Sequence, residues 1–298
     1  MASRIRRTEQ TRPERGGAAR KRPEGMIMSI SQRTVDAYLG QGILTATLVV
    51  ETGLHIGAGN DEIQIGGIDN PVVKTPQGDP YVPGSSIKGK LRFLMEWAFG
   101  KVRANGDGKV WGWTSDDVSP GDPILRIFGT AAKKEAWLEG PTRLLVRDAM
   151  LDGEWRERAL SSGGELTEIK TEVTIDRIAG KALDGVGARQ TERVPPGARF
   201  SFEAAFRVFS VGGDHGADDL KCLAWTIQGF DLLEQDALGG SGSRGYGRVR
   251  FADLALKGPA SEEKLDNIRK GHAFGTDAPP SEILAAVRRA FGADEPAQ

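Results

Sequence analysis

Apolar residues change their spacing along this chain in one particular order, and that order limits the folds open to it. Ile43 to Glu51 is rich in β-branched and aliphatic residues, the pattern of a strand. Ile87, Leu91, Leu94, Met95 and Ala98 then fall on one stripe at helical spacing, which predicts a helix over about 86–99, directly after Pro83-Gly84. Pro123 to Phe128 suits a short helix, Arg143 to Leu151 a strand, and Leu166 to Ile178 one arm of a hairpin that returns through Arg189, Gln190 and Arg193. Phe200, Phe202, Ala204 and Phe206 share one face of a strand. Leu220, Leu223, Ala224, Ile227 and Phe230 mark a second amphipathic helix ending near Glu234, and a last strand runs from Arg248 to Leu256. Strand, helix, strands, helix, strand is the order of a ferredoxin-like α+β sheet.

The 298 residues suffice for one large domain with an insertion. Charge is unevenly spread. Residues 1–25 hold eight Arg or Lys against three Glu, so a chain of net charge −1 carries +5 in this segment and −6 in the remainder. Any nucleic-acid contact in the folded part therefore uses a local basic stripe rather than global charge. Residues 1–40 lack apolar periodicity and an apolar signal core, and read as a disordered basic extension, either a functional arm or a tail. Residues 258–280 read as polar linker and 281–291 as a short terminal helix. Cys222 is the only cysteine and the three histidines lie far apart, which excludes disulfides and zinc spacing and suits a reducing, cytoplasmic compartment. No apolar run approaches the roughly 18 residues of a membrane helix, so the expectation is a soluble protein.

Two Gly-rich segments imitate nucleotide motifs. Gly84 to Lys90 matches a phosphate-binding P-loop until Leu91 stands where a metal-ligating Ser or Thr is required. Gly240-Ser-Gly-Ser-Arg-Gly245 matches a dinucleotide fingerprint, but a helix precedes it and a strand follows, the reverse of the required context. No nucleotide cofactor is expected. Both segments nonetheless suit a sugar-phosphate chain. Ser85 and Ser86 either cap the helix or donate to phosphate; Lys88 and Arg92, four apart and off the apolar stripe, are either solvated cations or phosphate contacts. Arg244 and Tyr246 offer a cation and an aromatic ring to a nucleotide, or else belong to a tight loop closing a sheet edge.

Taken together, several ordered blocks resemble a known family. They are Glu51-Thr-Gly-Leu-His55-Ile-Gly57, Ile65-Gly-Gly-Ile-Asp69-Asn-Pro-Val-Val-Lys74, Tyr81 to Arg92, Leu144-Leu-Val-Arg147-Asp148-Ala, Thr167 to Arg177, Arg189-Gln-Thr-Glu-Arg193 and Leu238 to Gly247. From about residue 43 to 256 the chain is similar to the repeated backbone subunit of type III-A CRISPR effector complexes, a RAMP superfamily subunit whose common signature is the Gly-rich loop.

The resemblance implies an RRM-type palm over 41–257 with a β-hairpin thumb over about 165–195. Copies stack along a CRISPR RNA beside other type III subunits, each thumb kinking the guide–target duplex. It implies cleavage of complementary target RNA at regular intervals in antiviral defence, dependent on Mg²⁺ or Mn²⁺, with Asp69 as the catalytic and metal-binding residue. By the same match His55, Ser85, Ser86, Lys88, Lys90, Arg92, Arg147, Arg177, Arg189, Arg193, Gly242, Ser243, Arg244 and Tyr246 contact RNA. Val173 departs from the polar residue expected in the thumb. The alternative is a non-catalytic guide-binding scaffold subunit of a related CRISPR complex.

Overall fold

In the computed structural model, which describes residues 34–58, 70–102, 108–112, 120–130, 139–185 and 187–293, a long first strand, β1 (Val35–Val50), precedes α1 (Gly84–Ala98) and α2 (Pro123–Phe128). Then come β2 (Leu144–Val146), β3 (Met150–Leu151), α3 (Gly153–Ser161), β4 (Glu168–Glu172), β5 (Arg189–Arg193), β6 (Arg199–Val211) and α4 (Ala217–Gln235). The described chain closes with β7 (Val249–Lys257), β8 (Glu262–Lys264), α5 (Asp266–Arg269) and α6 (Ser281–Phe291). Six strands form one antiparallel sheet in the order β2-β6-β1-β7-β8, with β3 also paired to β6; β4 and β5 form a separate hairpin.

The two-residue period of a strand decides which face of the sheet is covered. Leu48 pairs with Phe200 and Phe251, Ala46 with Phe202 and Leu44 with Ala204, so one face is apolar; the alternate rows carry Thr45 with Glu203, Thr47 with Ser201 and Val49 with Arg199. Onto the apolar face pack Ile87, Leu91 and Met95 of α1 and Leu223, Ala224, Ile227 and Phe230 of α4, all fully buried. Burying each of the larger of these side chains contributes about 1.5–3 kcal/mol. Phe202, Phe230 and Phe251 meet with ring centroids 4.8 to 5.4 Å apart, tying β6, α4 and β7 into one aromatic cluster. A Cβ on Gly229 of α4 would stand 2.8 Å from Leu91 Cδ1 and 3.0 Å from Met95 Sδ, so this glycine lets α1 and α4 pack closely.

Several expectations need correction. The first strand begins at Val35, well before Ile43, because its early half pairs with the end of β6, Val35 lying opposite Val211. Arg143 to Leu151 is not one strand: β2 and β3 are separated by Arg147–Ala149, and that corner turns the Asp148 carboxylate onto α1. Residues 258–280 are not linker. β8 pairs with β7, Leu265 joins the core, and Arg269 is fully buried, donating to Asp231, to Glu234 Oε1 (2.8 Å) and to the Phe251 carbonyl (2.8 Å). The polar composition of that stretch hides a buried cation with its own acids. α3, capped by the Asp152 carboxylate on the Trp155 amide, has no apolar stripe to announce it. The terminal helix forms as expected, with Ile283, Ala286, Val287 and Ala290 buried. Residues 1–33 lie outside the described residues. Among the described residues no helix is long and apolar enough to cross a membrane.

Candidate nucleic-acid interface

Past β1 the chain enters the segment around Leu54 and His55, and two other parts of the molecule fasten to it. Leu54 exchanges backbone hydrogen bonds with Val194, just past β5 (2.9 and 2.8 Å). On the other side the Gly-rich loop donates from Gly240 to the His55 carbonyl (2.9 Å) and from Gly247 to the Gly53 carbonyl (3.0 Å). Gly239, with φ +77°, would put a Cβ 2.2 Å from the His55 carbonyl oxygen. The loop is glycine-rich here because two backbones touch.

The base of the β4–β5 hairpin completes the junction through Glu192. Its carboxylate, 3% exposed as a residue, accepts from the Val72 amide (2.9 Å), Lys74 Nζ (2.5 Å) and Thr167 Oγ1 (2.7 Å). Burial disfavours its charge, but the bonds from Lys74, Thr167 and Val72 outweigh that and hold the carboxyl below its ordinary range. The Glu192 carbonyl meets His55 Nδ1 at 2.7 Å, and since a carbonyl only accepts, Nδ1 carries the hydrogen. Gly57 and Gly240 flank the other ring edge, their ideal Cβ positions lying 3.5 Å from Nε2 and 3.3 Å from Cδ2.

Tyr246 is buried. Its hydroxyl donates to Glu172 Oε1 (3.1 Å), while Lys170 Nζ and the Arg193 guanidinium lie 4.3 and 5.1 Å from its ring centroid. Burial and the Glu172 bond raise the phenol above its usual value. Tyr246 therefore fastens the hairpin instead of offering a face to a base. Arg193 also donates to Glu168 (2.7 Å), and Arg244, well exposed, lies 3.8 Å from Glu172. Gly242 and Ser243 form a short turn with Arg244. Arg189, at the start of β5, and Arg177, past the end of β4, are both exposed. Among the described residues the junction thus gathers Lys74, Lys170, Arg189, Arg193 and Arg244 against Glu168, Glu172 and Glu192, a local cationic surplus on a chain of net charge −1.

The α1 candidates lie differently. Neither Ser85 nor Ser86 caps the helix; the Gly84 amide donates to Asp148 Oδ1 instead (2.8 Å). Lys88 donates to the Leu144 carbonyl (2.9 Å), and burial, then Arg92 and Arg207, lower its pKa. Arg92 pairs with Glu96 (2.7 Å) and donates to the Trp111 carbonyl (2.5 Å). Both cations are turned toward β2, Trp111 and Gly129, away from the junction. Lys90 alone reaches back toward the Gly-rich loop, through Asp236 (3.0 Å). Arg147, exposed, pairs with Glu203 (2.7 Å) on the sheet.

Asp69 lies outside the described residues; Asn70, its covalent neighbour, bridges Thr191 of β5. Among the described residues no group of three or more His, Cys, Asp or Glu side chains is arranged to hold a metal ion, and the junction carboxylates are taken by cations and donors. Glu192 was missed from sequence. Its signal was parity: Val194 is buried, and counting back two along the strand puts Glu192 on the same inward face.

The family model of the RAMP superfamily matches residues 47–250. The chain is 39% identical over 217 residues to the CRISPR system Cms endoribonuclease Csm3 of Methanocaldococcus jannaschii, covering 73% of this chain and 81% of that protein. It is 38% identical over 213 residues to the protein of the same name from Streptococcus thermophilus, covering 70% and 86%. A crystal structure of a Csm3–Csm4 subcomplex of the type III-A CRISPR-Cas interference complex aligns over 80% of this chain and 86% of its own, at 27% identity and a TM-score of 0.44, too loose a superposition to bear on the site. With a family model over most of its length and relatives of that identity, this chain belongs to the RAMP superfamily, among the Csm3 endoribonucleases of CRISPR systems.

Proposed function

We propose that this protein is a CRISPR RNA-binding backbone subunit of a type III-A effector complex and an endoribonuclease that cuts complementary target RNA at regular intervals. The observation that carries this reading is the kinship with endoribonucleases over 81% or more of their length. The strand order β2-β6-β1-β7, with α1 and α4 as its helical connections, supports a ferredoxin-like, RRM-type palm with the β4–β5 hairpin as its thumb. Such sheets often read RNA by stacking bases on aromatics, but the central outward rows here carry Thr45, Thr47, Val49, Arg199, Ser201 and Glu203. The cationic junction is the better place for RNA.

In this reading the guide supplies sequence choice by base pairing, and the protein holds a nucleotide splayed so that its 2′-hydroxyl, the phosphorus and the leaving oxygen come into line. Asp69 is the catalytic carboxylate, and Mg²⁺ or Mn²⁺ its ion. Partners are the guide, the target RNA, further copies of this chain and other type III subunits, in the cytoplasm.

The test is a complex reconstituted with its guide and given end-labelled complementary RNA with Mg²⁺, comparing wild type with Asp69→Ala. A regular ladder from wild type, lost in the variant while guide binding and assembly persist, is the expected result. Binding with no ladder in either sample would leave a guide-holding scaffold.

A further inference from the structure

Residue 192 joins three segments of the junction: the one after Asn70, the entry to β4 and the one at His55. Its carboxylate holds the segment after Asn70 through the Val72 amide and Lys74 Nζ, and holds the entry to β4 through Thr167. Its amide donates to the Asn70 carbonyl (3.1 Å), one peptide unit from Asp69 in the sequence, and its carbonyl accepts from His55 Nδ1. The carboxylate is buried and ionised among three donors, and that geometry is specific to a charged acceptor: an amide at this position would present N–H groups to at least one of those donors. A residue needed only for packing would be apolar here, as Val194 two residues on is.

We propose that Glu192 is a positioning residue for RNA cleavage, fixing the segment that follows Asp69 relative to the His55 imidazole and to the hairpin. This rests on the cleavage reading above. Glu192 acts through other residues and does not touch the RNA itself. Small displacements of a reacting group are costly: a shift of about 1 Å can lower a rate about 10²-fold. Loosening this clamp therefore lowers the rate at saturating target and leaves the affinity for target, which is spread over a long duplex, almost as it was.

The test uses the full reconstituted complex. Single-turnover cleavage is followed across target concentrations for wild type, Glu192→Gln, Thr167→Val and Lys74→Met, together with guide retention and thermal melting. Expected is a saturating rate about 10²-fold lower in Glu192→Gln, with half-saturating concentration, guide content and melting near those of wild type. Thr167→Val and Lys74→Met, which each remove one donor, should fall between. Wild-type rates in Glu192→Gln would overturn the proposal. So would a fall in cleavage that only tracks guide loss and early melting. If Glu192→Gln does not assemble, wild-type rates in both other variants overturn it and graded losses support it. A wild-type complex that binds target without cutting would instead overturn the cleavage reading beneath it.

Discussion

Tyr246 is the residue on which the Gly-rich loop and the hairpin meet, and its ring and hydroxyl do separable things. Two cations, Lys170 and Arg193, lie against the ring, and the hydroxyl donates to Glu172. Tyr246→Phe removes one hydrogen bond to a charged, partly exposed acceptor and should cost about 1 kcal/mol. Tyr246→Ala empties a buried aromatic site and should cost about 3–5 kcal/mol. The loss should be local. Hydrogen exchange should quicken at Glu168–Glu172 and Arg189–Arg193 before it does in the central sheet; unchanged exchange in the hairpin of Tyr246→Ala would show that the hairpin is held elsewhere. The same residue illustrates how a motif can mislead, since an aromatic among glycines suits a stacking platform but is here buried under the hairpin it anchors.

Among the elements, α1 and α4 pack against each other across Gly229, and this contact is sensitive to a single methyl group. Gly229→Ala gains helix propensity of about 1 kcal/mol, but its Cβ would intrude on the fully buried Leu91 and Met95, and such overpacking costs about 1–3 kcal/mol. The net expectation is a loss of up to about 2 kcal/mol, read as a lower urea midpoint at unchanged slope. A higher midpoint would mean that the Leu91 and Met95 termini move aside freely. α1 also shows where helical periodicity stops being informative. Its apolar stripe was legible because it is written in consecutive residues, whereas its N-terminal partner, Asp148, lies 64 positions away.

At the scale of the whole molecule, the chain beyond β7 is bound to the core by Arg269, buried among Asp231 and Glu234 of α4 and the Phe251 carbonyl of β7. Burial, with Glu234 adding, pushes the Asp231 carboxyl up to about 6 against the pull of Arg269. The folded state then keeps a proton that the unfolded chain has released, so this group's contribution to stability declines as pH rises from about 4 toward 6. Asp231→Asn should melt below wild type, with the gap narrowing across that window; a gap that widens with pH would contradict this. The long strands and helices, their order and the inward faces of β6, α1 and α4 were legible from sequence, because periods of two and 3.6 are properties of neighbouring residues; the short β3, α3, β8 and α5 were not. The burial of Arg269, the turning of Lys88 to the Leu144 carbonyl and the meeting of His55 with Glu192 came from the folded chain alone. Their partners lie 35, 56 and 137 positions apart, and no local pattern records which charged side chain will find which acceptor once the sheet has closed.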